Sequence, residues 1–146
     1  MAFQNPSAGE IKALLQRAKT VAVVGLSPDP DRASYSVAMY LQGNGYRIVP
    51  VRPGGGEILG EKVYESLSDV PFAVDVVDHF RRSSAVAAHV EEAIRLRVPA
   101  IWMQEGVIDE DAAQRARDAG LTVVMDRCML KEHRKAGLVP STPGQV

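Results

Sequence analysis

Val21-Ala22-Val23-Val24-Gly25-Leu26-Ser27-Pro28 is the stretch on which the fold of this chain turns. An apolar run rich in β-branched residues forms a buried strand, and Gly25 stops it ahead of a polar stretch and a helical pattern. A parallel strand that opens through glycine into a helix N-terminus makes a site for a phosphate. The glycine lets backbone approach the ligand, amide N–H groups point at it, and the helix dipole favours negative charge. An ordinary strand-to-helix turn has the same local pattern. Of the dinucleotide fingerprint G-x-G-x-x-G only Gly25 is present, because Ser27 and Pro30 occupy the other two positions. The rest of the chain has to decide.

Strand and helix patterns alternate on both sides of this turn. Ile11, Leu14, Leu15 and Ala18 recur at i, i+3, i+4 and i+7 and mark an amphipathic helix before it. After it, Ser34 or Ser36 is expected to cap a second helix that ends at Asn44-Gly45. Tyr46 to Val51 read as the next strand, closed by Pro53 and the loop Gly54-Gly55-Gly56. Ala73 to Val77 read as a third strand, nearly all apolar as a parallel strand covered on both faces should be. Ser83 or Ser84 then caps a helix with Val86, Val90, Ala93 and Ile94 on one face, followed by a strand from Pro99 to Met103. Asp109 caps the next helix, whose early Glu110 and Asp111 and later Arg115 and Arg117 complement its dipole, and Gly120 ends it. Leu121 to Met125 give a fifth strand and Leu130 to Lys135 a short last helix.

This alternation predicts a single-domain, doubly wound α/β fold, a Rossmann-like parallel sheet of about five strands, over residues 1–136. Residues 137–146, with two prolines, are expected to form a poorly ordered tail. Ligands of such sheets bind outside the carboxyl ends of the strands.

Composition narrows the function classes. With 146 residues and a net charge of −1, the chain has no generally basic surface for nucleic acid. No apolar stretch approaches a membrane span and no signal-peptide pattern opens the sequence, so a cytoplasmic protein is expected. Cys128 is the single cysteine, which excludes an internal disulfide. Three scattered histidines give no metal-ligand spacing.

The residues after each strand carry the functional signal. Arg52 stands where an NAD-binding domain carries an acid for the ribose hydroxyls, and an arginine there suits an extra phosphate. His79-Phe80-Arg81-Arg82 combines an aromatic face with two guanidiniums, and Arg127 adds a fourth basic group after the last strand. Arginines gathered at one sheet edge in a nearly neutral chain point to a polyanionic small ligand; a solvated arginine pair beside a core Phe80 is the alternative. No catalytic set accompanies them. Ser27 lacks partners and is not in a G-x-S-x-G elbow, Asp78 and His79 face opposite ways, and His89 and His133 read as surface or structural histidines. Trp102 reads as core, with its N–H satisfied by a neighbour. Cys128, beside Arg127 at the predicted ligand edge, is either a buried inert residue or a candidate reactive thiol.

Taken together, "VAVVGLSPDPDRASYSVAMYLQGNGYRIVPV", "DVVDHFRR", "IWMQEGV" and "MDRCMLKEH" resemble the small stand-alone CoA-binding proteins. Their fold is similar to the CoA-binding domain of the succinyl-CoA synthetase α subunit. The resemblance spans roughly Lys19 to His133, and its most specific segment is D-R-C-x-x-x-E-H. It implies a coenzyme A site with Gly25, Leu26 and Ser27 around phosphate and Arg32, Ser34 and Tyr35 on the following loop. Arg52, Pro53, Phe80 and Arg81 would flank the adenine and ribose-phosphate end, and Met103, Gln104, Arg127 and Cys128 would lie nearer the pantetheine. The family usually has asparagine in place of Arg52 and a small apolar residue in place of His79. The synthetase's second domain, with its phosphorylated histidine, has no counterpart here, and no Walker A motif is present. The expected function is therefore CoA or acyl-CoA binding without catalysis. An NADP-binding redox domain and an interaction module with a vestigial site are the alternatives. On the CoA reading, a mixed disulfide between Cys128 and the CoA thiol becomes conceivable, and valine at Gly25 would fill the pyrophosphate's space while leaving the fold largely intact.

Overall fold

The computed structural model describes residues 3–138. Along the chain come α1 (Ala8–Arg17), β1 (Thr20–Val24), α2 (Ala33–Gly43), β2 (Arg47–Val51), β3 (Glu57–Ile58), β4 (Glu61–Lys62) and a 3₁₀ turn at Leu67–Asp69. Then follow β5 (Val76–His79), α3 (Ser83–Arg95), β6 (Ala100–Met103), α4 (Glu110–Asp118), β7 (Thr122–Met125) and α5 (Met129–Lys135). Five strands form one parallel sheet in the order β2-β1-β5-β6-β7, and β3 and β4 form a small antiparallel hairpin. This is the expected Rossmann-like single domain.

Apolar strands are buried on both sides because helices cover both faces. Ile11, Leu14, Leu15, Val37, Leu41 and Met129 of α1, α2 and α5 pack on Val21, Val23, Val76 and Trp102. Val86, Val90, Ala93, Ala112, Ala113 and Ala116 of α3 and α4 pack on Ala22, Val24, Val77, Ile101 and Val123. The small residues of α4 let that helix lie close to the sheet.

Both sheet edges are managed. In β2, Arg47 donates its N–H to Lys19 of the β1 side, whereas Arg52 donates outward to Tyr64. Pro50 is in phase with Arg52, so its missing donor faces the outer edge, where proline is tolerated. At the other edge the Asn5 side chain donates Nδ2–H to Met125 O at 2.8 Å and accepts Met125 N–H on Oδ1 at 2.7 Å. One amide side chain thus occupies the place of a further strand.

Several expectations are corrected. The third strand begins at Val76, not Ala73, because Asp75 marks its entry: Asp75 Oδ2 accepts the N–H groups of Lys19 and Thr20, both at 2.9 Å. Pairing with β1 then draws Asp78 and His79 into the strand opposite Val23 and Val24. The serines do not cap α2 and α3. Arg32 and Arg82 hold the N-cap positions without a side-chain cap, and Ser34 and Ser83 lie in the first turns, bonded to other loops. The β3–β4 hairpin lies in a stretch to which the sequence pattern assigns no element. Of the expected tail, residues 139–146 lie outside the described residues.

Candidate functional site

From β1 the chain turns to β2 at one side through α2, then returns to β5 on the other side of β1. The loops after β1 and β5 therefore diverge, and a crevice opens at the carboxyl ends of these two strands, as at the switch point of any open α/β sheet. A cleft of about 430 Å³ lies there, lined by Gly25, Ser27, Arg32, Ala33, Ser34, Arg52, Pro53, Phe80 and Arg81.

Gly25 turns the chain with φ +88°, and its N–H donates to Val51 O at 2.9 Å. A Cβ there would stand 3.1 Å from the Phe80 carbonyl oxygen and 3.0 Å from Arg81 Cδ. The absence of a side chain is therefore required for the β1 and β5 loops to approach, and the expected intact fold of a valine variant does not follow. Leu26 is fully buried and anchors the turn in the core. Beyond it, Ser27 N–H donates to Ser34 Oγ and Asp29 N–H to Ser27 Oγ, both at 3.0 Å. The loop is held by its own side chains.

Helix α2 starts at the cleft with no side-chain cap and no acid in its first turn. Its leading amides, at Ala33 and Ser34, have no intrahelical acceptor by geometry and are not neutralised by a carboxylate, so they present positive potential to the cleft. Three guanidiniums surround it. Arg52 makes two long contacts of 3.4 Å, to Leu26 O and Pro53 O. The Nε of Arg81 is buried with no hydrogen-bond partner among the described residues. Among the described residues the ion pairs are Arg95–Glu92, Arg115–Glu91 and Lys131–Glu105, and none of them engages Arg32, Arg52 or Arg81. Among the described residues, three arginines outside any ion pair stand beside an uncapped helix start, a combination whose chemistry suits an anion.

Eight of the residues singled out from sequence meet in this cleft, and Ala33, which carries no chemical signal of its own, joins them. Tyr35 packs partly buried against the core. Met103 is fully buried, and Gln104, 4% exposed, accepts Met129 N–H on its side-chain oxygen at 3.0 Å. Arg127 is exposed and Cys128 is buried at the N-cap of α5. These last residues follow β6 and β7, further along the same carboxyl edge and outside the cleft lining. Asp126, at φ 58°, accepts Gly106 N–H at 2.8 Å and ties the two loops together.

The remaining polar groups are structural. Trp102 donates Nε1–H to Arg127 O at 2.9 Å. His79 is buried beneath α3 with Nδ1 bonded to Trp102 O at 3.2 Å, and burial pushes its pKa down to about 4. Asp78 faces the opposite layer with no hydrogen-bond partner among the described residues, and burial raises its pKa well above the ordinary carboxylate value. His133 is hydrogen-bonded through Nδ1 to the Tyr40 hydroxyl at 2.8 Å and packs edge-on against Tyr40 and Tyr46, far from the cleft. In D-R-C-x-x-x-E-H, then, the aspartate and histidine act as clamps of the fold.

Residues 19–134 match the CoA binding domain family. The chain belongs to that family. It is 44% identical over 131 residues to the uncharacterized protein YneT of Bacillus subtilis (strain 168), covering 90% of this chain and 97% of that one. The structure of cell-free ID.343 from Thermus thermophilus superposes with a TM-score of 0.86 at 38% identity, over 90% of this chain and 99% of that one. The dinucleotide-forming acetyl-coenzyme A synthetase 1 of Ca. Korarchaeum cryptofilum shares the fold, with a TM-score of 0.65 at 24% identity over 74% of this chain and 26% of the synthetase.

Proposed function

We propose that this protein binds CoA or an acyl-CoA at the crevice between β1 and β5 and acts as a binding module without a catalytic set of its own. One observation carries the reading: Arg32, Arg52 and Arg81 line the cleft at the start of α2, and among the described residues none of them is held in an ion pair. The pyrophosphate would lie over Gly25 and the first amides of α2, with Phe80 and Pro53 toward the adenine end. The pantetheine would run along the carboxyl edge past Gln104 toward Arg127 and Cys128. Among the described residues no helix is long and apolar enough to cross a membrane. With its lone cysteine, the chain fits a cytoplasmic ligand-binding role.

Arg52 at the end of β2 would also suit the 2′-phosphate of NADP, so the test includes that ligand. Isothermal titration with CoA, acetyl-CoA, NADPH and NAD is expected to give saturable heats with the first two and much weaker ones with the dinucleotides. Tighter binding of NADPH than of CoA would replace this reading with the redox one.

A further inference from the structure

At the end of the molecule opposite the arginine cleft, a groove of about 360 Å³ runs beneath the entries to β5 and β6. Its lining is mostly apolar, with Leu67, Val70, Phe72 and Val74 from the segment before β5 and Leu96 and Val98 from the end of α3. Among the described residues, Met39, Leu96 and Ile108 are the large apolar side chains left exposed, and Leu96, at 41%, stands on this groove.

Arginines edge it. Arg97 belongs to the lining, and the Arg47 guanidinium lies 3.8 Å from the centre of the Phe72 ring. Among the described residues neither is held in an ion pair. Asp75, the acid of the lining, is turned to the N–H groups of Lys19 and Thr20. Arg97 has φ 57°, the left-handed conformation that follows a helix end, where α2 and α4 have Gly45 and Gly120. Backbone strain of this kind gathers where a side chain serves binding.

Ile108, 46% exposed, lies beyond the other end of β6. Its N–H donates to Ser83 Oγ at 2.9 Å, and the Ser83 hydroxyl donates to Gly106 O at 3.2 Å, so the loop that carries it is braced. Asp109, Glu110 and Asp111 follow directly, and Arg115 further along the helix is taken up by Glu91 at 2.5 Å. A fixed apolar knob edged by carboxylates is the counterpart of an apolar groove edged by guanidiniums. The two stand at opposite ends of β6 and cannot meet within one molecule.

We propose that the groove takes up Ile108 of a second copy of this chain, with Arg47 and Arg97 facing the acids that follow it. Different surfaces meet in such a contact, so each copy keeps a free groove at one end and a free knob at the other. Association therefore runs head to tail into short open chains and does not stop at a symmetric dimer. One apolar side chain with exposed charges makes a weak contact that salt screens. Neither Leu96 nor Ile108 lines the arginine cleft, so the inference stands apart from the CoA reading.

Sedimentation velocity from about 10 μM to about 1 mM protein tests it. The wild type is expected to pass from monomer to a series of larger species, with association at least about threefold weaker when NaCl is raised from about 0.1 M to about 1 M. Leu96→Glu removes the groove and Ile108→Lys the knob; both positions are exposed, and circular dichroism checks both folds. Each variant alone should stay monomeric, whereas their equimolar mixture should form a one-to-one dimer and nothing larger, because one intact groove then meets one intact knob. A wild type that stays monomeric overturns the proposal and leaves the groove to an acidic segment of another protein. Association that either variant leaves unchanged, that salt does not weaken, or that the mixture fails to restore overturns it as well.

Discussion

The backbone N–H of Ser27 donates to the side-chain hydroxyl of Ser34 at 3.0 Å, fastening the loop after β1 to the first turn of the helix it leads into. Ser34 is only 6% exposed, so this bond has little competition from water. Its loss leaves the Ser27 N–H unsatisfied in a partly buried loop, a cost of about 1–2 kcal/mol. Ser34→Ala is expected to lower CoA affinity about tenfold with a modest drop in melting temperature. Exposed Ser36, the other serine at this helix start, serves as control, and Ser36→Ala should change neither. Calorimetry and thermal melts on both variants check this.

Gly25 and Gly54 both have positive φ, at +88° and +111°, but only Gly25 is crowded. Gly25→Ala combines left-handed strain with a clash against Phe80 backbone, and is expected to cost about 2–3 kcal/mol along with most of the CoA affinity. Gly54→Ala meets nothing within 4 Å and should show the smaller cost of strain alone, about 1 kcal/mol. Urea unfolding of the two variants separates the terms. Equal losses would mean that the approach of β1 and β5 loops is unimportant to stability.

The cleft was legible because its residues stand directly after apolar strands, and strand ends of a parallel sheet share one edge. Gly25, Arg52 and Arg81 could be placed together on that ground alone. What escaped the sequence depends on partners distant in the chain. Ser34 and Ser83 look like helix caps, yet their hydroxyls serve the backbone of Ser27 and Ile108. Asp78 and His79 look like loop residues by polarity, and only the register with Val23 and Val24 places them in the core. Two-residue strands such as β3 have no periodicity to read.

Arg52 holds its contacts to Leu26 O and Pro53 O only weakly, at 3.4 Å each, and among the described residues it is in no ion pair. It is free to take a ribose phosphate in a charge-assisted pair. Dephospho-CoA is expected to bind about tenfold more weakly than CoA, and Arg52→Ala to reduce CoA to the level of dephospho-CoA while leaving dephospho-CoA nearly unchanged. A full difference between the two ligands in Arg52→Ala would assign the phosphate to another arginine.

His79 and Asp78 make stability depend on pH with opposite signs. Burial lowers His79 from 6.5 to about 4, so between these values the unfolded chain takes up a proton that the folded protein does not. Stability therefore falls as pH drops through this window, by about 2–3 kcal/mol in all, and is unaffected by this group above pH 7. Asp78, raised by burial, keeps its proton in the folded state where the unfolded chain releases it above pH 4, so its contribution falls as pH rises. Measured by urea unfolding, His79→Val should lose stability relative to wild type at pH 7 and recover that loss toward pH 4.5. Asp78→Asn should gain on wild type as pH rises from 4. Parallel curves for wild type and His79→Val would refute the histidine's part.

Cys128 sits at the N-cap of α5, 9% exposed and packed in the core layer that contains Trp102 and Met129. On the proposed CoA reading its thiol would lie near the route of the pantetheine arm, and a mixed disulfide would form by attack of the Cys128 thiolate on CoA disulfide, releasing one CoA thiolate. That attack needs an in-line approach to the sulfur, which a thiol packed beneath a helix start does not offer until α5 loosens. Incubation of the folded protein with CoA disulfide is therefore expected to give little adduct by intact-protein mass spectrometry. The same incubation in urea should give one reducible adduct of CoA mass, absent from Cys128→Ser. Rapid formation of the adduct on the folded, CoA-competent protein, suppressed by excess reduced CoA, would instead bring the pantetheine end directly to Cys128.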